Sequence, residues 1–175
     1  TAKIDGHLFY GLTLKNSNIT LVYDYTSGLW AQWTDVNGNY LPMVASVNTS
    51  DQKSLLQHES DGKLYKLDPN LYADDGNLFP VDIYTPTWDG GVRNSKTIHR
   101  MDFIGDKTIG CELQVRKTDD DYETWSNFRT VDMGRKFPYL DNCGTTRRRA
   151  LHIRHRDNTA LRVNALELQI ELGDL

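Results

Sequence analysis

Apolar residues in this chain recur at every second position and rarely at helical spacing. Cys111, Leu113 and Val115 alternate with Glu112, Gln114 and Arg116; Met101 and Phe103 flank Asp102; Leu151 and Ile153 flank His152. Such a period puts one face of an extended segment against a core and the other towards water. Between these segments stand turn formers at close intervals: Ser27-Gly28, Asn37-Gly38, Asp61-Gly62, Asp75-Gly76, Asp89-Gly90-Gly91, Asp106 and Asp157-Asn158. Short strands joined by tight turns predict an all-β chain, built as a sandwich or as part of a propeller.

The segment Leu161 to Leu172 contains good helix formers, yet its apolar positions keep period two with one phase slip at Ala165-Leu166. That pattern predicts a bulged strand, with a short terminal helix as the alternative. A Pro-, Asp- and Asn-rich stretch at residues 69–80 divides the chain. Residues 1–75 are predicted to form propeller-blade-like antiparallel hairpins, the end of a longer domain, and residues 76–175 a β-sandwich. Two hairpin segments, at residues 21–30 and 60–68, are spaced near the roughly 40 residues of a propeller blade. Trp30, Trp33 and Trp125 are predicted to be structural, because Trp30 and Trp125 each follow a turn where a core takes a large ring.

The chain carries 20 Lys and Arg against 24 Asp and Glu, a formal charge of -4, which argues against a dedicated grip on nucleic acid. No apolar run approaches membrane-spanning length, and the opening TAKIDGHLFY lacks the order of a secretory leader, so neither membrane nor secretion is expected. Cys111 and Cys143 fit neither a disulfide scaffold nor a metal spacing and are expected to be plain thiols. No nucleophile with a base, zinc-binding His pair or phosphate-cradling glycine loop is found, so a non-enzymatic protein without cofactor or metal is expected. His152 and His155, three apart on a predicted strand, point to opposite faces and cannot chelate together.

Two motifs stand out. Thr118-Asp119-Asp120-Asp121-Tyr122-Glu123-Thr124-Trp125 resembles an Asp box, the Ser/Thr-x-Asp-x-Gly-x-Thr-Trp turn of sialidase-like propellers, with Tyr122 where the pattern has Gly. A calcium site is the sharper reading of Asp119, Asp120 and Asp121, but an oxygen cage wants staggered ligands and a Gly at the bend. The run Arg147-Arg148-Arg149, continued by Arg154 and Arg156, admits a solvated face, a protein interface or DNA backbone contact. The protein interface, with Asp119, Asp120 and Asp121 of a neighbouring copy meeting the arginines, is the reading taken here.

In order, ITLVYDYTSGLWAQW, DGKLYKLD, LFPVDIYTPTW, MDFIG, CELQVRKTDDDYETW, RRRALHIRHR and LRVNALELQIEL resemble the C-terminal part of the packaged-DNA stabilisation proteins of short-tailed bacteriophages. The resemblance covers most of the chain. It implies a virion protein of the tail or head-to-tail connector, assembled in the bacterial cytoplasm. It further implies a homo-oligomeric, six-fold ring that closes the portal channel beside other connector or tail proteins, near packaged DNA. Those proteins are longer, with a propeller upstream, and have no catalytic or ligand residues to carry over. The competing reading is a carbohydrate-binding or sialidase-like module of a tail fibre or glycan-active enzyme.

Overall fold

The computed structural model describes residues 1–49 and 54–173. The chain is all-β, with several antiparallel sheets, and it divides into two compact units, Thr1–Phe79 and Pro80–Leu175. The strands of the first unit are β1 (Ala2–Ile4), β2 (His7–Leu14), β3 (Ile19–Asp24), β4 (Leu29–Trp33), β5 (Met43–Asn48), β6 (Ser54–His58), β7 (Leu64–Lys66), β8 (Ala73–Asp74) and β9 (Asn77–Leu78). Those of the second are β10 (Val81–Tyr84), β11 (Lys96–Gly105), β12 (Glu112–Thr118), β13 (Arg129–Asp132), β14 (Tyr139–Thr146), β15 (Ala150–His155) and β16 (Val163–Leu172).

In the first unit, β1-β2-β3-β4 form one sheet in sequence order and β5-β6-β7 a second. Sequential neighbours pair because each link is a short turn. Asp75-Gly76, both at positive φ, makes the two-residue reversal between β8 and β9, whose backbone hand matches the strand twist. The β3–β4 turn is held by Asp24, whose carboxylate accepts from the Thr26 amide (2.9 Å), the Ser27 hydroxyl (2.6 Å) and the His7 ring (2.8 Å). Desolvation acts against the charge, but these bonds outweigh it and hold the Asp24 carboxyl at about 2. The sheets are tied where Ser54 Oγ donates to the Lys3 carbonyl (2.8 Å) and accepts from the Lys3 amide (2.6 Å). A cavity of about 190 Å³ lies between them, bordered by Phe9, Val22, Trp33, Met43 and Leu56.

The second unit holds two sheets, β10-β15-β12-β13 and β14-β11-β16, whose inner faces contribute to one core. Phe103, Ile98, Leu113, Val131 and Met133 are fully buried in it, and the alternation of β11 and β12 is the one written in the sequence. Residues 163–172 form the strand expected, not the helix. The irregularities fall at Asn164, unpaired between Val163 and Ala165, and at His99 on β11, rather than at Ala165-Leu166. Cys111 and Cys143 are free, buried thiols, both pushed up first by desolvation.

Burial is not confined to apolar side chains. Lys96 is 1% exposed, and its ammonium donates to three carbonyls, of Val92 (2.6 Å), Asn94 (2.9 Å) and Arg147 (2.9 Å). The cation thereby draws the loop before β11 and the turn before β15 together, and its three donors are all used.

Candidate functional site

The arginine run enters β15, where alternation sends successive side chains to opposite faces. Arg149 goes inward and is 3% exposed, a correction to any reading of the run as one solvated face. Its guanidinium grips Asp119 through Nε (2.7 Å) and Nη2 (2.9 Å), and its Nη1 donates to the Cys143 carbonyl (2.8 Å). Lys117 Nζ reaches the same carbonyl at 2.8 Å. Lys117 is held below the ordinary lysine range, first by desolvation and then by the Arg149 charge. Arg148 pairs with Asp121 on the surface, and Arg154 Nε donates to Asp82 at 2.8 Å. The acidic turn and the basic strand, expected to meet across a subunit boundary, thus meet within one chain. Arg147 and Arg156 are exposed and carry no ion pair among the described residues.

Asp120 is the centre of the turn between β12 and Trp125. It accepts from the Thr118 hydroxyl (2.6 Å), from the Thr124 amide (2.9 and 3.1 Å) and from the Thr124 hydroxyl. The Thr118 and Thr124 bonds hold its carboxyl at about 2. Tyr122, in the glycine place of the motif, has φ +74°, an uncommon conformation for a bulky residue. Two bonds offset that strain: its amide donates to Thr118 Oγ1 (3.2 Å) and its hydroxyl to the Thr85 carbonyl (2.9 Å). The three aspartates are therefore spent on two arginines and a turn, and among the described residues no group of His, Cys, Asp and Glu is arranged to hold a metal. Replacing Asp120 by Ala is expected to speed hydrogen exchange at the Thr124 amide by at least about tenfold, because the turn then opens locally; exchange measured by NMR checks this.

Beside this turn lies a cluster that sequence reasoning missed. Cross-strand register aligns Tyr84 of β10, His152 of β15 and Arg116 of β12 on the face of the sheet opposite the core. The loop after the Asp-box-like turn lays Trp125 and Phe128 against them, so His152 is fully buried although it lies outside the main core. Tyr84 stacks on its ring at 4.1 Å, and the Arg116 guanidinium sits 4.9 Å over Trp125 and 4.7 Å over Phe128. Arg116 Nε donates to His152 Nδ1 at 2.8 Å, while Nε2 meets Asp82. Since arginine has no acceptor, Nδ1 must be unprotonated and the hydrogen must sit on Nε2. The ring is consequently neutral. Desolvation holds His152 below the ordinary histidine value, with Asp82 opposing and Arg116 and Arg154 adding to the depression. Asp82 is kept low: burial acts against its charge, but the Arg154 and His152 bonds prevail. Charge complementarity across neighbouring strands could have signalled the cluster, had the pairing of β10 with β15 been readable.

The tryptophans divide. Trp33 and Trp125 are half-buried, packing on Phe9 and on the His152 cluster. Trp30 is 58% exposed, a correction to its expected core role: it lies on the outer face of the first sheet, against Tyr23 at 5.1 Å. It has apolar company. Register places Leu8, Tyr10, Leu12 and Leu14 of β2, Ile19, Leu21 and Tyr23 of β3, and Trp30 of β4 on that one face, with Lys3 of β1 and Gln32 of β4 at its two edges. No protein-family model matches the chain, and no curated protein is similar to it.

Proposed function

We propose that this chain is a structural virion protein of a phage head-to-tail connector or tail hub, which assembles to close the portal channel over packaged DNA. In this reading, the first unit is a set of propeller-blade-like hairpins and the second a β-sandwich. The observation that carries it is the outer face of the first sheet, where Tyr10, Leu12, Leu14 and Trp30 stand 40–58% exposed, flanked by Lys3 on β1 and Gln32 on β4. Contiguous apolar surface of this kind marks a place where another protein binds. The order of hairpin, Asp-box-like turn, arginine strand and closing strand supports the phage assignment through the resemblance of the quoted segments. Arg147 and Arg156, exposed and unpaired among the described residues, are the members of the arginine run best placed to meet a partner.

A second reading has one observation of its own. Tyr23, Tyr25 and Trp30 form an aromatic cluster at one end of the same face, with Tyr25 and Trp30 both 58% exposed, as a sugar-stacking platform would require. Electron microscopy of the purified protein, alone and mixed with portal complexes of short-tailed phage, separates the two. Rings, or density capping the portal, are the expected result. A protein that leaves portals bare and changes its Trp fluorescence on adding bacterial polysaccharide would overturn the connector reading in favour of the glycan one.

A further inference from the structure

We infer that a cavity in the second unit binds a small carboxylate with an apolar body, its charge taken by Lys117 and Arg129 and its body by the space lined by Met101, Leu140 and Leu151. The site belongs to the second unit alone and does not depend on the connector reading.

The cavity holds about 270 Å³ between the two sheets, on the side where their edge strands β13 and β14 lie. Inward positions that are apolar along most of the core turn cationic here. On β12 the inward series Leu113 and Val115 continues to Lys117; on β13, Arg129 stands two places before the buried Val131, and register sets it across from Val115. Arg149, just before β15, lines the same space beside Leu151. Three cations therefore border a space whose other walls include Met101, Leu140 and Cys143, all buried. Among the described residues, the carboxylates that meet these cations are Asp119 and Asp141. Asp119 is gripped by Arg149 and lies 3.7 Å from Lys117, and Asp141 lies 3.5 Å from Arg129.

Two of the three cations are loosely held. Lys117 Nζ donates to the Cys143 carbonyl at 2.8 Å, but its 3.7 Å approach to Asp119 is too long for a hydrogen bond. Arg129, 43% exposed, reaches Asp141 and the Asn142 carbonyl only at 3.5 Å, so its fork can turn to an incoming carboxylate. The backbone is shaped around the ammonium. β14 bulges where Asn142 and Cys143 oppose the single His99, with Asn142 at φ +51° and Gly144 at φ +79°. A Cβ on Gly144 would stand 3.0 Å from Lys117 Nζ, so glycine keeps that room open. Bulges of this kind recur beside binding sites, where they re-aim a group. Desolvation and the Arg149 charge already hold Lys117 below the ordinary lysine range, and a bound anion would act the other way. The apolar walls decide the ligand class: an inorganic ion would leave them against water, whereas a hydrocarbon body covers them. At about 30 Å³ for each water-sized atom, the space takes roughly nine non-hydrogen atoms, the size of benzoate or octanoate.

The test uses the full chain with benzoate and octanoate as probes, followed by calorimetry and by amide shifts in NMR. At least one is expected to bind saturably, with a dissociation constant of about 1 mM or below, and to move the Lys117, Arg129 and Gly144 amides. The Lys117 ammonium should then titrate at a higher pH than in the free protein. Octylamine, which keeps the apolar body, and inorganic phosphate, which keeps the negative charge, should each bind at least about tenfold more weakly. The carboxylates should lose at least about tenfold in affinity on Arg129→Gln and on Lys117→Met. Arg129 is exposed, so the Arg129→Gln melt should match the parent, and this variant decides the question if Lys117→Met, which strips one donor from the Cys143 carbonyl, fails to fold. No saturable binding of either carboxylate up to about 10 mM overturns the site. So does octylamine or phosphate binding as tightly, Arg129→Gln binding like the parent, or shifts that miss these three amides. The connector reading is judged separately, by binding to the portal.

Discussion

Replacing Asp119 by Ala is expected to lower stability by about 2 kcal/mol, between the cost of breaking a fully buried ion pair and that of a surface one, because Arg149 is buried while Asp119 is 36% exposed. The cause is what stays behind. Arg149 is 3% exposed and cannot shed its charge, so without Asp119 two of its three bonded nitrogens lose their acceptor inside the protein. Lys117 lies 3.7 Å from the same carboxylate and would be left facing Arg149 with no anion between them. Asp121→Ala is the comparison that isolates burial. Its pair with Arg148 is about half exposed on both sides, where water and salt reduce a salt bridge to roughly 1 kcal/mol or less. Arg149→Lys should also destabilise, because an ammonium cannot hold a carboxylate in the two-pronged manner and reach the Cys143 carbonyl as well. Urea titrations followed by Trp fluorescence measure all three. Equal losses for Asp119→Ala and Asp121→Ala would show that burial of the arginine partner has no special standing.

The contrast between these two aspartates also shows where sequence reading stops. Alternation in β11 and β12 reports which residues face a core, because one strand's own pleat decides it, and Phe103, Leu113 and Val115 are buried as their spacing requires. The turns were legible for the same local reason. Which strand lies beside which is not local. Asp82 and His152 are separated by 70 positions, and only the pairing of β10 with β15 brings them into contact. Nothing in VDIY or LHIRH announces that meeting. Trp30 failed in a different way: period two puts it on the face of β4 opposite Leu29 and Ala31, but neither its pairing with Tyr23 nor which face is the covered one can be read from that period. The first sheet has apolar residues on both faces, so the pattern has no polar side to orient it. Arg149 was missed because a basic run reads as solvated, whereas the bend at Arg147 and Arg148 leaves those two exposed and the bridge to Trp88 turns Arg149 inward. The phase slip at the C-terminal strand was seen and misplaced by one residue, since the chain has two ways of absorbing one extra residue and Asn164, the polar choice, takes it.

The second large effect is expected on acidification, and its sign follows from the neutral state of His152. The folded ring is held below its ordinary value, while the unfolded ring takes a proton near pH 6.5. Between those two values the unfolded chain binds the additional proton, so stability falls as pH falls, by up to about 1.4 kcal/mol per pH unit for this one group. It is fully present above about pH 6.5. The structural reason is that a second ring proton, on Nδ1, would point at the Arg116 Nε hydrogen and add a positive charge beside Arg116 and Arg154, with only Asp82 to offset it. Protonating His152 should therefore release Arg116 from the ring, and with it the Trp125 and Phe128 covers that Arg116 stacks upon. Asp82, whose value is also held low, extends the loss to lower pH as its own charge is removed. His152→Gln supplies the control. Glutamine can donate to Asp82 through its amide nitrogen and accept from Arg116 through its oxygen, yet it does not titrate. The variant should keep its stability between pH 7 and pH 5, where the parent loses it, and parallel denaturation curves for the two proteins over that interval would show that the buried ring is not the group responsible.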